Sequence, residues 1–262
     1  MWNLILEKVS NIRKVDLQVV TEPHHCFKKI KICVIIPALN ESQNIGFVVE
    51  EVKKALPLST VLVIDDGSDD NTSVIAKEFG ALVIRLGSNL GIGAAVQTGF
   101  KYAQANNFDI AVQLDADGQH DPFYIKELVK PILEKKADVA IGSRFIENNG
   151  YRSTFSRRIG IKWFSTLTKL LMKKKILDCT SGFRAYNQRA IHFLYDRYPD
   201  DYPEPESLFM LDKNGFGISE VPVVMRERKG GISSINSLKS IYYIIKVTLA
   251  STMWSIRKVV NG

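Results

Sequence analysis

Two carboxylates separated by one residue dominate the chemistry open to this sequence. Gln113–Asp121 reads Gln-Leu-Asp-Ala-Asp-Gly-Gln-His-Asp. It closes Asp109–Leu114, a short apolar run with the character of a buried strand. In a strand, residues i and i+2 point to the same side, so Asp115 and Asp117 can face one site. Carboxylates that close repel unless a cation lies between them or one is protonated. A hard divalent ion with oxygen ligands relieves the repulsion, and Mg²⁺ usually keeps positions open for substrate phosphates. Gln119 can add a neutral oxygen. The plain alternative is a solvated strand-to-helix turn in which Asp121-Pro122 caps the next helix. The surrounding chain has to decide between them.

The elements around this stretch alternate. Lys31–Pro37 reads as a buried strand from its branched apolar residues. Asn40-Glu41-Ser42 supplies caps for a helix to about Leu56. Thr60–Ile64 is a second strand, ending in Asp65-Asp66-Gly67-Ser68, with Asp69 to Thr72 offering caps for the next helix. Ala81–Leu86 is a third strand, and Gly91 opens a helix to about Asn106. Asp109–Leu114 and Asp138–Gly142 are the fourth and fifth strands, with a helix from near Pro122 between them. Such alternation predicts right-handed crossovers and a mostly parallel sheet. Ligands then bind at the carboxyl ends of the strands, where four loops rich in polar and small residues converge. Gly91-Ile-Gly93 lacks the Lys-Ser/Thr of a phosphate-cradling loop. The simpler reading is that Gly93, Ala94, Ala95 and Gly99 let their helix pack close to the sheet.

The composition sets bounds. With 262 residues, 45% apolar and 24% charged, the chain is ordinary globular material with room for a real core. Cys26, Cys33 and Cys179 are too scattered for a disulfide framework or a metal-ligand pattern, which suits a reducing compartment. The N-terminus lacks the basic lead of a signal peptide. No run of roughly 18 apolar residues is present to span a bilayer. A net charge of +7 points to an anionic partner. Nucleic acid is disfavoured, because no recognition motif accompanies the charge.

Residues 1–30 show no clear period beyond a short helix near Leu4–Val9. Between Glu147 and Asp178 there is no acidic residue, while Arg152, Arg157, Arg158, Lys162, Lys169, Lys173, Lys174 and Lys175 all fall there. Phe155, Ile159, Trp163, Leu167, Leu170 and Leu171 follow helical spacing, so this is a candidate for a membrane-surface helix. Thr180–Tyr186 precedes a helix around Gln188–Tyr195. Ser207–Asn214 is helical, Gly217–Met225 is a strand, and Arg226–Ser234 is a basic loop. Ser237–Val260 is a second amphipathic helix, interrupted by Lys246.

Six motifs in order carry a resemblance. They are Val-Ile-Ile-Pro-Ala-Leu-Asn-Glu (34–41), Val-Ile-Asp-Asp-Gly-Ser (63–68), Asp-Ala-Asp-Gly-Gln (115–119), Gly-Ser-Arg (142–144), Ser-Gly-Phe-Arg (181–184) and Glu-Val-Pro-Val (220–223). The chain resembles a family 2 glycosyltransferase of the GT-A fold, most of all the dolichol-phosphate-mannose-synthase and bacterial cell-surface polysaccharide branch. The fold this implies is α/β: a Rossmann-like, mostly parallel sheet flanked by helices, with C-terminal amphipathic helices. The division is an extension (1–30), a GT-A domain (31–234) and a C-terminal helix (235–262).

The resemblance also implies roles. Pro37, Leu39, Glu41, Ile64, Asp65 and Asp66 lie around the nucleotide, with Asp66 at the base. Asp115, Ala116 and Asp117 hold the diphosphate through Mg²⁺ or Mn²⁺, with Gln119 near the metal. Arg144 and Arg158 match basic positions near the phosphates. Glu206 matches the acceptor-side carboxylate, a general base, and Glu204 is its neighbour and rival. Arg228, Gly231 and Ser233 match a loop that grips acceptor phosphate, but Ser234 stands where that subgroup has lysine. The expected activity is inverting, metal-dependent transfer from a UDP-, GDP- or dTDP-sugar to a lipid-linked saccharide in surface polysaccharide synthesis. The expected location is peripheral, on the cytoplasmic face of the membrane, with a membrane protein as an alternative means of recruitment. The competing readings are a polyprenyl-phosphate sugar synthase and a non-catalytic nucleotide-sugar-binding subunit.

Overall fold

The computed structural model describes residues 30–146, 155–172, 174–201 and 203–226, together with Lys246, Thr248, Leu249, Thr252 and Met253; along 155–162 only the backbone is described. The expected helix near Leu4–Val9, Lys173, Arg228, Gly231, Ser233 and Ser234 lie outside these residues.

The first half alternates as expected. Strand β1 (Ile32–Ala38) leads to α1 (Ile45–Ala55), β2 (Thr60–Asp65), α2 (Thr72–Glu78), β3 (Leu82–Arg85), α3 (Ile92–Ala105) and β4 (Ile110–Gln113). A 3₁₀ turn (Pro122–Tyr124) runs into α4 (Ile125–Leu133), then β5 (Val139–Ser143) and α5 (Phe155–Met172). The chain continues through β6 (Arg184–Asn187), α6 (Gln188–Leu194), α7 (Pro203–Lys213) and β7 (Ile218–Pro222).

The strands form one seven-stranded sheet in the order β3-β2-β1-β4-β6-β5-β7. Strands β1, β2 and β3 pair in parallel, as do β1 with β4 and β5 with β7. Among the described strands only β6 runs against its neighbours, β4 and β5. It was not expected from the sequence: Arg-Ala-Tyr-Asn is not a branched apolar run, and it leads directly into α6. Chain order steps outward from β1 to β3, then returns to the other side of β1 with β4. That reversal makes a crevice at the carboxyl ends of β1 and β4.

Alternation along each strand splits the core into two layers. Val34 and Ile36 join Val112, α1 (Ile45, Val48, Val49, Val52) and α4 (Leu128, Val129) on one face. Cys33 and Ile35 join Leu62, Ile64, α3 (Val96, Phe100), α6 (Ile191, Leu194) and Met210 of α7 on the other. Burial pushes the Cys33 and Cys179 thiols up to about 12, so both are inert packing residues. A third cluster sets Phe164, Leu167 and Met172 of α5 against Leu208 and Phe209 of α7. The amphipathic face expected on α5 is therefore divided. Leu167 is buried, while Trp163 and Leu170 point outward, 50% and 75% exposed.

The glycines of α3 have different tasks. A Cβ on Gly99 would fall inside van der Waals contact of Ile35 in β1, so Gly99 does set the helix close to the sheet. A Cβ on Gly93 would instead meet the backbone of Pro199 and Asp200, the loop that covers the start of α3. Gly99→Val should lower unfolding stability by about 1–3 kcal/mol through overpacking, measured as a shift of the urea midpoint at unchanged slope.

Candidate active site

The sheet register places the loops. Ala38 lies opposite Asp65, so the loops after β1 and β2 leave the sheet side by side. They are stitched together by hydrogen bonds. The Asn40 N–H donates to Ser68 Oγ (2.9 Å), Glu41 N–H to Thr72 Oγ1 (2.9 Å) and Ser42 N–H to Asp70 (3.1 Å). Asn40, at φ 54°, turns the chain so that these amides face the second loop. Asn40–Ser42, expected as helix caps, thus pin one loop to the next, and α1 starts only at Ile45.

Asp65 is buried at the base of this edge. Burial acts to raise its carboxyl, but hydrogen bonds from Ser68 (2.8 Å) and Ser73 and the charge of Arg85 outweigh it and hold the pKa below the ordinary value. Asp66 turns to the other side and accepts the N–H groups of Leu90 (2.8 Å) and Gly91 (2.9 Å), tethering the loop ahead of α3. Pro37 is buried, and Leu39 is exposed at the loop tip. Ile64 is fully buried in the core, so it can offer a ligand main-chain atoms only.

Strand β4 stops at Gln113, opposite Ile35, and Asp115 and Asp117 lie in the turn that follows rather than in the strand. Gly118 (φ 76°) and the Gln119 N–H donating to Asp117 Oδ1 (3.0 Å) close the turn. The expected alternation persists all the same. Asp115, Asp117 and Gln119 are open to solvent, and Leu114, Ala116, Gly118 and His120 are buried.

Asp115 is gripped from two sides. The His120 ring accepts the Asp115 N–H at Nδ1 (3.1 Å) and sets Nε2 3.6 Å from Asp115 Oδ2. Burial pushes His120 down to about 4, against the pull of Asp117, so the ring is neutral near pH 7. On the other side a Cβ on Gly182 would lie 2.9 Å from Asp115 Oδ1. Phe183 then stacks on His120, with centroids 5.1 Å apart and planes 15° from parallel. Ser-Gly-Phe-Arg is thus the backing of the acidic turn.

Arg184 completes that backing. Fully buried, it donates to the carbonyls of Ser181 (2.7 Å), Cys179 (2.7 Å) and Glu204 (2.7 Å). Beneath Asp115, Gln113 Oε1 accepts from the hydroxyls of Tyr198 (3.2 Å) and Tyr186 (3.4 Å), while its Nε2 is buried without a hydrogen-bond partner. Burial raises the Glu204 pKa; Asp115 adds to the shift, while Arg184 and Gln113 oppose it. Glu206 lies two residues on, about 200° around the helix. The Glu204 carboxyl thus feels the Asp115 charge, and Glu206 projects from another side of α7.

Arg144 donates to Asp178 through Nε (2.7 Å) and a terminal nitrogen (2.6 Å), a bidentate pair in which Asp178 is fully buried. Glu220 in turn accepts the N–H groups of Leu177 and Asp178, both at 2.9 Å. The Glu-Val-Pro motif therefore holds the Asp178 loop in place. Arg158 lies on the stretch of α5 described by backbone alone.

Do these residues suit a divalent ion? Asp115 and Asp117 offer hard carboxylate oxygens on an open face, and the absent side chain of Gly182 leaves room beside one of them. Among the described residues no three His, Cys, Asp or Glu side chains form a metal-holding group. An ion here would rest on two carboxylates and complete its shell with Gln119, water or a ligand's phosphate oxygens, the habit of Mg²⁺.

Comparison with known proteins agrees with this architecture. Residues 33–194 match Glycosyl transferase family 2. The chain is 32% identical over 219 residues to the polyprenol monophosphomannose synthase of Mycolicibacterium smegmatis, covering 78% of this chain and 80% of that protein. It is 32% identical over 212 residues to a UDP-N-acetylglucosamine–dolichyl-phosphate N-acetylglucosaminyltransferase of Methanococcus voltae, covering 73% and 84%. Its fold is similar to that of glucosyl-3-phosphoglycerate synthase from Mycobacterium tuberculosis in complex with Mn²⁺, UDP and phosphoglyceric acid (TM-score 0.66, 22% identity, 86% and 78% covered). The chain belongs to glycosyl transferase family 2, and its fold is GT-A. It is a glycosyltransferase.

Proposed function

We propose that this enzyme transfers a sugar, with inversion, from a nucleoside-diphosphate sugar to a lipid-borne acceptor at the cytoplasmic face of a membrane. The observation that carries the reading is the open Asp115–Asp117 pair at the reversal of the sheet, beside the loops pinned by Asp65 and Asp66. Pro37, Leu39 and Glu41 would flank the base. Asp115 and Asp117, with Gln119, would hold Mg²⁺ or Mn²⁺. A bound ion would supply charge to offset the negative charge that grows on the departing diphosphate. UDP is the natural first donor nucleotide to test, since one relative is named for a UDP-sugar and the structural neighbour binds UDP.

The acceptor-side carboxylate we assign to Glu204, in place of Glu206. Its carboxyl feels the Asp115 charge, and its raised pKa suits a group that must take up a proton. That favours a hydroxyl acceptor, such as one on a lipid-linked saccharide. The second reading is a polyprenyl-phosphate acceptor, which the names of both relatives favour. A phosphate is already ionised and needs no base. Arg228 would grip phosphate in either lipid.

The membrane side of the reading rests on α5 and the last helical residues. Trp163 donates to Thr248 Oγ1 (3.1 Å), and Trp163, Leu170, Leu249 and Met253 are all exposed. Among the described residues no helix is long and apolar enough to cross a membrane. Exposed apolar side chains beside Lys174 and Lys175 would bind a bilayer surface in two ways, by burial and by charge.

Three measurements test the proposal. Release of nucleoside diphosphate from a labelled sugar donor, with lipid acceptor and Mn²⁺, should fall about a hundredfold or more in Asp117→Asn at unchanged fold. Full activity of that variant, or of wild type in excess chelator, sinks the reading. With a hydroxyl acceptor, Glu204→Gln should lower kcat by about a hundredfold with little change in donor affinity, and Glu206→Gln should do far less. Mild, equal effects transfer the assignment to a phosphate acceptor. On anionic vesicles, wild type should co-sediment at low salt and partly at high salt. Trp163→Ser with Leu170→Ser should abolish the salt-resistant part; unchanged high-salt binding would remove these side chains from the membrane contact.

A further inference from the structure

His120 is buried, neutral and outside every role assigned above. Its surroundings leave it little freedom. The ring stacks on Phe183, and its main chain forms a β-bridge with Met225. On one side of it the Gln119 carbonyl accepts the Arg226 N–H (2.8 Å). The Arg226 side chain pairs with Glu51 of α1 and with Asp121 (3.1 Å), on the other side of His120. The imidazole is thus fixed by a ring, a bridge and an ion-paired arginine, with Nδ1 bonded to the Asp115 N–H and Nε2 3.6 Å from its carboxylate.

The hydrogen bond to Asp115 specifies the tautomer. Nδ1 accepts the Asp115 N–H, so it carries no proton, and a neutral ring must then carry its proton on Nε2. Nε2 lies 3.6 Å from Asp115 Oδ2, beside the carboxylate but beyond hydrogen-bond distance. The hydrogen bond holds the backbone of Asp115, and the ring lies against its carboxylate. Gly182 closes the opposite side, so the carboxylate lies in a slot between ring and backbone.

We propose that His120 is a positioning residue that presets the Asp115 carboxylate for a divalent cation, its Nδ1 anchoring the Asp115 main chain and its buried ring lying against the carboxylate. This rests on the reading of Asp115 and Asp117 as cation ligands. A side chain behind a ligand acts on cation affinity because a carboxylate that is already aimed loses less freedom on binding. Loss of such a partner typically weakens affinity about 10- to 100-fold.

The test uses two variants chosen by atom position. His120→Phe keeps an aromatic ring against Phe183 and removes both nitrogens. His120→Asn loses the ring but places an amide oxygen where Nδ1 was, restoring the acceptor for the Asp115 N–H. The first readout is Mn²⁺ alone, as the concentration that half-saturates the thermal shift of the purified protein. The second is kcat at saturating Mn²⁺. His120→Phe should raise the Mn²⁺ midpoint at least tenfold while kcat at saturation falls much less, and His120→Asn should recover most of the loss. Should His120→Phe fail to fold, His120→Asn is compared with His120→Ala, and the asparagine variant must bind Mn²⁺ several-fold more tightly. A wild-type Mn²⁺ midpoint in His120→Phe, or equal weakening in the asparagine variant and its comparator, overturns the proposal. Asp117→Asn controls for the parent reading: if it too leaves Mn²⁺ binding intact, the cation site itself is misplaced, and the fault is not in His120.

Discussion

Repulsion between the Asp115 and Asp117 carboxylates is the constraint around which the fold is arranged. Two carboxylates in neighbouring positions turn away from each other unless each is held, and a turn after a strand end is a weak place to hold them. The chain solves this by bringing distant segments behind Asp115. Gly182 sits against one carboxylate oxygen, His120 takes the amide, and Phe183 backs His120. Antiparallel β6 makes this possible, because its pairing sets Arg184 opposite Gln113 and so brings Gly182 up to the turn.

Below that turn lies a second layer of polar groups. Arg184 reaches three carbonyls in two segments, and Gln113 ties Tyr186 and Tyr198 together under the acidic turn. Arg184 also bonds the first turn of α7 through the Glu204 carbonyl and Ser207 Oγ. The acidic turn after β4 and the start of α7 thus share one buried network. Its hydrogen bonds couple the two segments, and the Gln113 Nε2 is the one donor among these groups left buried without a partner.

Much of this was legible in the sequence. Branched apolar runs ended by Asp, Asn and Gly marked β1 to β5 to within a residue or two, because each is a run of apolar residues followed by a helix. The convergence of polar loops on one sheet edge and the outward-facing Asp115–Asp117 pair followed from the same pattern; the strand order, and with it the reversal beside β1, did not. What could not be read was partnership. Glu220, Arg144 and Asp178 look like separate surface charges in sequence; in the fold they form a chain of buried contacts that supports the loop before β6. The sequence pointed to Glu206 as the acceptor-side carboxylate with Glu204 as its rival, and the burial that raises the Glu204 pKa became visible only in the fold. Close packing on the sheet was correctly expected at Gly99, but Gly93 meets the backbone of Pro199 and Asp200 instead, and the closeness of Gly182 to Asp115 became visible only in three dimensions.

The central claim is that a cation and a nucleoside diphosphate meet at the Asp115–Asp117 turn. The most direct measurement is an anomalous difference map from crystals grown with Mn²⁺ and UDP. The account predicts one strong Mn²⁺ peak within coordination distance of Asp117, about 2.0–2.4 Å by the habit of hard oxygen ligands, with the diphosphate against it and the base toward Asp66. A nucleotide seated at this edge with no Mn²⁺ at the turn, or Mn²⁺ bound elsewhere on the chain, would contradict it.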